Sequence, residues 1–183
     1  MKFIINTSLD PHFCAIFSRE NILLEKKTWT HRSQDGQNIY ELLSHYEINK
    51  IDFCGAVSGP GGFASLRASA CVITSISFAN TIKIHQISAE KLMNLVLGND
   101  DFLLNSFGDS VWEIVDKKIA RVSLTDIDIN KAYFVDVLPQ SKAALFPKKI
   151  KYSLENIENV LLRGLIDSEP SEVFIPHYEF PPV

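Results

Sequence analysis

The residues best placed to do chemistry lie in "VSGPGGFASLR", Val57 to Arg67. Gly59, Pro60, Gly61 and Gly62 follow an apolar run and precede a segment with helical spacing. Strand, glycine turn and helix N-terminus together can cradle a phosphate, because the first backbone N–H groups of the helix are unpaired and the glycines let an anion approach. The same arrangement also makes a tight strand-to-helix connection pressed against a neighbouring backbone. Spacing leaves both readings open. A Walker-type loop is excluded, because no Lys follows the glycines.

Other chemistry finds little support. The five histidines, His12, His31, His45, His85 and His177, never fall four apart on one helix, and no H-E-x-x-H occurs. A metal site is therefore not expected. No G-x-S-x-G elbow marks a serine nucleophile. Cys14, Cys54 and Cys71 are odd in number and far apart, each within an apolar run. They read as small buried residues in a reducing compartment, not as a disulfide framework.

The surrounding elements must position that turn. "KFIINTS", "HFCAIFS" and "NILLEKKTW" predict a three-strand antiparallel meander, with Phe13, Ala15 and Phe17 on one face. Ile39, Leu42, Leu43 and Tyr46 have helical spacing. "KIDFCGAVS" has the continuous apolar character of a central strand. A helix follows from about Ser65 to Asn80, then the strand "IKIHQIS" and a short helix after Ser88. The polar "GNDD" predicts a lobe boundary, giving 1–97 and a smaller 98–183. Beyond it come shorter strands, "DFLLNSF", "SVWEIVD", "KIARVSLTDI" and "KAYFVDV", with a hairpin turn at Asp116-Lys117-Lys118. An amphipathic helix capped by Ser153 buries Leu154, Ile157, Val160, Leu161 and Leu165. A last strand and a proline-rich tail close the second lobe. Lys148, Lys149 and Lys151 read as a solvated loop. No internal repeat is visible.

The glycine turn launches an unusual helix. Between Ala64 and Ile82 it carries one charge, Arg67. Ala64, Ala68, Cys71 and Ser75 form one small-residue stripe; Leu66, Ala70, Ile73 and Ser77 form another. No face has the polarity of a solvated surface, so one side should meet the domain's own sheet and the other a second covering. That covering is another helix of this chain or a partner. Arg67, read in the first turn, opposes the helix dipole there. It either reaches solvent or pairs with a carboxylate.

Composition is that of a globular chain: 183 residues, 46% hydrophobic, 22% charged, net charge −4. The charge argues against unaided nucleic-acid binding. The longest uncharged run, Ala68 to Ile82, is too short and too polar to span a bilayer. The opening residues lack a signal-peptide pattern, so a cytoplasmic protein is expected.

"VSGPGGFASLR" resembles the G-P-G-S-F-T-G-L-R motif of the TsaB (YeaZ) family. "FIINTS" is similar to that family's opening I-D-T-S strand, "ISAEKL" to the start of its next helix, and "PHYEFPP" to its closing P-x-Y segment. The resemblance implies an α/β fold of the actin-like, ribonuclease-H-like superfamily, in two lobes. It implies a non-catalytic partner of TsaD, the subunit that attaches threonylcarbamoyl to adenosine 37 of tRNA, with the ATPase TsaE joining and tRNA met only through the complex. The family docks through first-lobe helices, here Asn38 to Tyr46 and Ser65 to Asn80. That points to Leu42, Tyr46, Arg67, Ala70, Cys71, Thr74 and Phe78 as interface. No cofactor and no catalytic residue is expected. Asn6 replaces the family's Asp, and Gly62 and Ala64 replace its Ser and Thr. Two rivals stand beside this: a phosphotransferase or hydrolase of the same superfold, and a homodimeric regulatory or peptidase-related protein.

Overall fold

The computed structural model describes residues 1–98, 101–106, 108–116, 118–135, 137–150 and 154–178. Three strands open the chain: β1 (Lys2–Asn6), β2 (His12–Phe17) and β3 (Leu23–Trp29). They pair as the expected antiparallel meander. Helix α1 (Asp35–Ser44) leads to β4 (Phe53–Val57), α2 (Phe63–Asn80), β5 (Ile84–Ile87) and α3 (Ala89–Leu97). β4 pairs parallel with β1, and β5 parallel with β4. The first sheet runs β3-β2-β1-β4-β5.

Alternation in β1 and β2 divides the core between the two faces. Phe3, Ile5, Cys14 and Ile16 join Ile39 and Leu42 of α1 and Ile73 and Ile76 of α2. Ile4, Phe13, Ala15 and Phe17 face the other way, onto Leu92 and Met93 of α3. Every β2 side chain is therefore buried, as a strand covered on both faces requires. Ser88 caps α3 as its sequence suggests, accepting from the Lys91 N–H at 3.0 Å.

A second sheet contains β6 (Phe102–Asn105), β7 (Ser110–Val115), β8 (Lys118–Ser123), β9 (Tyr133–Phe134) and β10 (Lys149–Ile150), in the order β10-β9-β6-β7-β8. Read from its meander edge, this is the first sheet's order again: three antiparallel strands, then two parallel ones. Where α2 spans 18 residues, the described residues of the second sheet's last connection hold α4 (Gln140–Ala143), four residues long.

Three expectations need correction. Helix α5 (Ile157–Ile166) and the segment after it were assigned to the second lobe. Instead α5 lies on the first sheet with α3, where Leu161, Leu162 and Leu165 share a core with Ile4 and Val57. Its apolar stripe finds a larger unfilled surface there than the trimmed second sheet offers. The expected last strand is irregular through Tyr178, with isolated bridges from Ser171 to Ile84 of β5 and from Tyr178 to Gly61 of the glycine turn. Two prolines and a short run leave it no ladder to continue. The basic run is not only loop: Lys149 opens β10 beside β9, though its side chain is exposed. Ser153, Lys151, Lys117, the Asn99–Asp100 part of the lobe boundary, Phe107 and the last five residues lie outside the described residues.

Candidate functional site

β4 delivers the chain to the glycine turn, and the turn's carbonyls are already engaged. The Ser58 carbonyl accepts from the His177 N–H at 2.6 Å, that of Gly59 from Ala89 N–H at 2.6 Å, and that of Pro60 from the Ser8 hydroxyl at 2.6 Å. Gly59 has φ +113°, and a Cβ there would overlap the His177 carbonyl oxygen. The glycine is required because the C-terminal segment passes over it. Tyr178 then packs against Phe63 with tilted rings, their centres 4.9 Å apart. Of the two readings left open by spacing, the close backbone neighbour is present, and it is this chain's own tail.

The opening strand braces the turn from below. Thr7 donates to the Ser65 carbonyl at 2.8 Å and shares a 2.6 Å hydrogen bond with Ser69. Asn6 is spent locally. Its Oδ1 accepts from the N–H groups of Ser8 and Leu9, both at 3.1 Å, and its Nδ2 donates to the carbonyls of Leu9 (2.9 Å) and Pro11 (3.3 Å). A carboxylate could make the first pair of bonds but not the second. Among the described residues no group of three or more His, Cys, Asp or Glu could hold a metal ion.

A cleft of about 460 Å³ opens beside the turn, between the sheets. Gly61, Gly62 and Phe63 form one wall and Asn105 and Ser106 the other, with Arg32 and Lys142 contributing the charged groups. Lys142 donates to Asn105 Oδ1 (3.0 Å), the Ser106 carbonyl (2.5 Å) and the Ser110 carbonyl (2.7 Å). A Cβ on Gly62 would lie 2.8 Å from Arg32 Nη1. Sequence reasoning missed both cations. They stand 110 positions apart and lie in no motif; only the topology brings them to one cleft.

α2 begins at Phe63, two residues earlier than its sequence suggests, so Arg67 lies beyond the first turn. Its guanidinium sits over the Phe63 ring at 5.2 Å, one helical turn back. Leu66, Ser69, Ile73 and Ile76 are buried against the sheet. Arg67, Cys71, Thr74 and Phe78 form the opposite stripe, and all are exposed. Phe78 is 89% exposed. Cys71, Thr74 and Phe78, with Ala70 and Ser75, line a shallow, mainly apolar depression. The half-covered helix anticipated from sequence is therefore present, and its second face is open in the single chain. Cys71 corrects the expectation of three buried thiols: Cys14 and Cys54 are buried, and Cys71 is exposed.

Two expected interface residues of α1 sit elsewhere. Leu42 is fully buried in the core and cannot meet a partner; the helical spacing that suggested it is the core-facing stripe. Tyr46 is half-buried, packed against that same core. Tyr40, which the sequence reading passed over, is 73% exposed on α1.

No family model matches the chain, and no curated protein matches it. Solved structures do. One, a protein described as having similarity to the peptidase YEAZ from Pseudomonas aeruginosa, superposes with a TM-score of 0.64 at 14% identity over 98% of this chain and 99% of its own. YeaZ from Pseudomonas aeruginosa superposes with a TM-score of 0.59 at 13% identity over 97% and 98%. The fold is therefore the actin-like, ribonuclease-H-like one shared with these structures, in two sheets with a small second half. No helix among the described residues is long and apolar enough to cross a membrane.

Proposed function

We propose that this chain is a TsaB (YeaZ)-type scaffold: a non-catalytic subunit that binds a TsaD-like enzyme and supports threonylcarbamoyl modification of adenosine 37 in tRNA. The observation that carries this is the open face of α2. It is long, almost uncharged and lined by small residues around an 89% exposed Phe78. A partner helix could approach closely there and bury apolar surface that is now wet. The fold shared with YeaZ supports the reading. So does the local use of Asn6, where a magnesium-binding relative would need a carboxylate free to ligate. A TsaE-like ATPase would join the assembly, tRNA would be met through the complex, and the setting would be cytoplasmic.

A second reading rests on the cleft. Arg32 and Lys142 beside the glycine turn suit a small anionic ligand, as a phosphotransferase or hydrolase of this fold would need. Reconstitution separates the two. The TsaD-like and TsaE-like proteins, with ATP, threonylcarbamoyl donor and tRNA, should modify the tRNA only when this chain is added. ATP turnover by this chain alone, with no effect on the tRNA reaction, would reverse the order of the readings.

A further inference from the structure

His12 at the start of β2 is fully buried and carries polar contacts on both ring nitrogens. Nδ1 lies 2.7 Å from Oδ1 of Asp35, at the N-terminus of α1. That oxygen also accepts from the Trp29 indole N–H at 2.7 Å. Ser65 on α2 also favours the Asp35 carboxylate. With so many donors converging, Asp35 is a carboxylate acceptor, and the proton on the shared bond belongs to His12 Nδ1.

The other nitrogen then presents a problem. Nε2 faces Oδ1 of Asp10, in the β1–β2 turn, at 3.6 Å. Both atoms are buried, and neither has a hydrogen-bond partner among the described residues. In a neutral ring with its proton on Nδ1, Nε2 is a lone pair. It would then stand against a carboxylate oxygen, acceptor against acceptor. A second proton removes the conflict: the ring becomes a donor on both sides, between two carboxylates. The remaining neighbours are compatible. Trp29 meets the ring edge-on, centroids 6.1 Å apart, and Arg32 faces the outer oxygen of Asp10 at 3.8 Å.

We propose that His12 is a buried imidazolium joining Asp10 to Asp35, and that this proton latches the β1–β2 turn to the N-terminal ends of α1 and α2. The latch reaches α2 through Ser65, whose carbonyl also receives Thr7. It therefore joins the turn beside the cleft to the helix that carries the open face. The inference does not depend on what binds that face. Burial disfavours the ionised form of Asp35, but hydrogen bonds from His12 and Trp29 outweigh this and hold its carboxyl below the ordinary value, so its share of the stability is lost as pH falls.

The full chain, labelled with ¹⁵N in its histidines, provides the test, with His12→Gln to assign the resonance. At about pH 7 both His12 ring nitrogens should resonate as protonated. Asp10→Asn places an amide donor opposite Nε2, so in this variant the ring should be neutral at the same pH. An unprotonated Nε2 in the wild type, including one that shifts when a chelator strips a metal, would overturn the proposal. So would an Asp10→Asn variant in which both ring nitrogens stay protonated.

Discussion

Asn6 is spent on this chain's own backbone. Its amide donates to two carbonyls and accepts from two N–H groups, closing the β1–β2 turn. Asn6→Asp would turn a second carboxylate oxygen toward the Leu9 and Pro11 carbonyls. We expect a loss of about 1–3 kcal/mol in urea melts, with no recovery on adding magnesium. A magnesium-dependent gain would instead favour the enzyme reading. The sequence made the substitution visible; the four bonds that explain it needed the fold. The cysteines divide on similar grounds. Burial pushes the thiols of Cys14 and Cys54 up to about 12, whereas Cys71 stands on the open stripe of α2. Under native conditions a maleimide should label Cys71 alone, and Cys14 and Cys54 only on unfolding, as mass spectrometry of digested peptides can check.

At the scale of elements, α2 was the most legible part of the chain. Its near-absence of charge required two coverings, and the structure supplies one. Periodicity could not say which stripe faces inward, because small and apolar residues occur all round. The buried and open stripes are set by the sheet beneath. That difference is measurable. Ile73→Ala removes a fully buried side chain and should cost about 2–5 kcal/mol. Phe78→Glu acts on an 89% exposed position and should leave stability within about 0.5 kcal/mol. α1 carries the opposite lesson. Leu42 has the spacing of a contact residue because its stripe does make contact, with the core. Leu42→Glu should unfold the domain and so cannot report on an interface. The C-terminal segment was the least legible element. Its path over Gly59 follows from the His177–Ser58 backbone contact, 119 positions apart, for which no local pattern exists. Gly59→Ala should lower the melting midpoint clearly, because a Cβ cannot share space with the His177 carbonyl.

On the scale of the whole molecule, the two sheets repeat one strand order. This repetition was invisible in sequence. The second sheet's parallel strands are two residues each, Tyr133–Phe134 and Lys149–Ile150, too short to carry a pattern. Among the described residues the helix between its last two strands is the four-residue α4, and the long helix with an open face is α2 of the first half. α5 lies against that half, on the side away from α1 and α2, and stiffens the platform from which α2 faces outward. Docking of the proposed partner on the open face of α2 is tested most directly by size-exclusion chromatography with light scattering of the full chain mixed with the TsaD-like protein of the same organism. A one-to-one complex is expected with the wild type, and none with Phe78→Glu or Cys71→Glu, each still melting as the wild type does. Separate elution of the two wild-type proteins, or a complex that both variants leave intact, would contradict it.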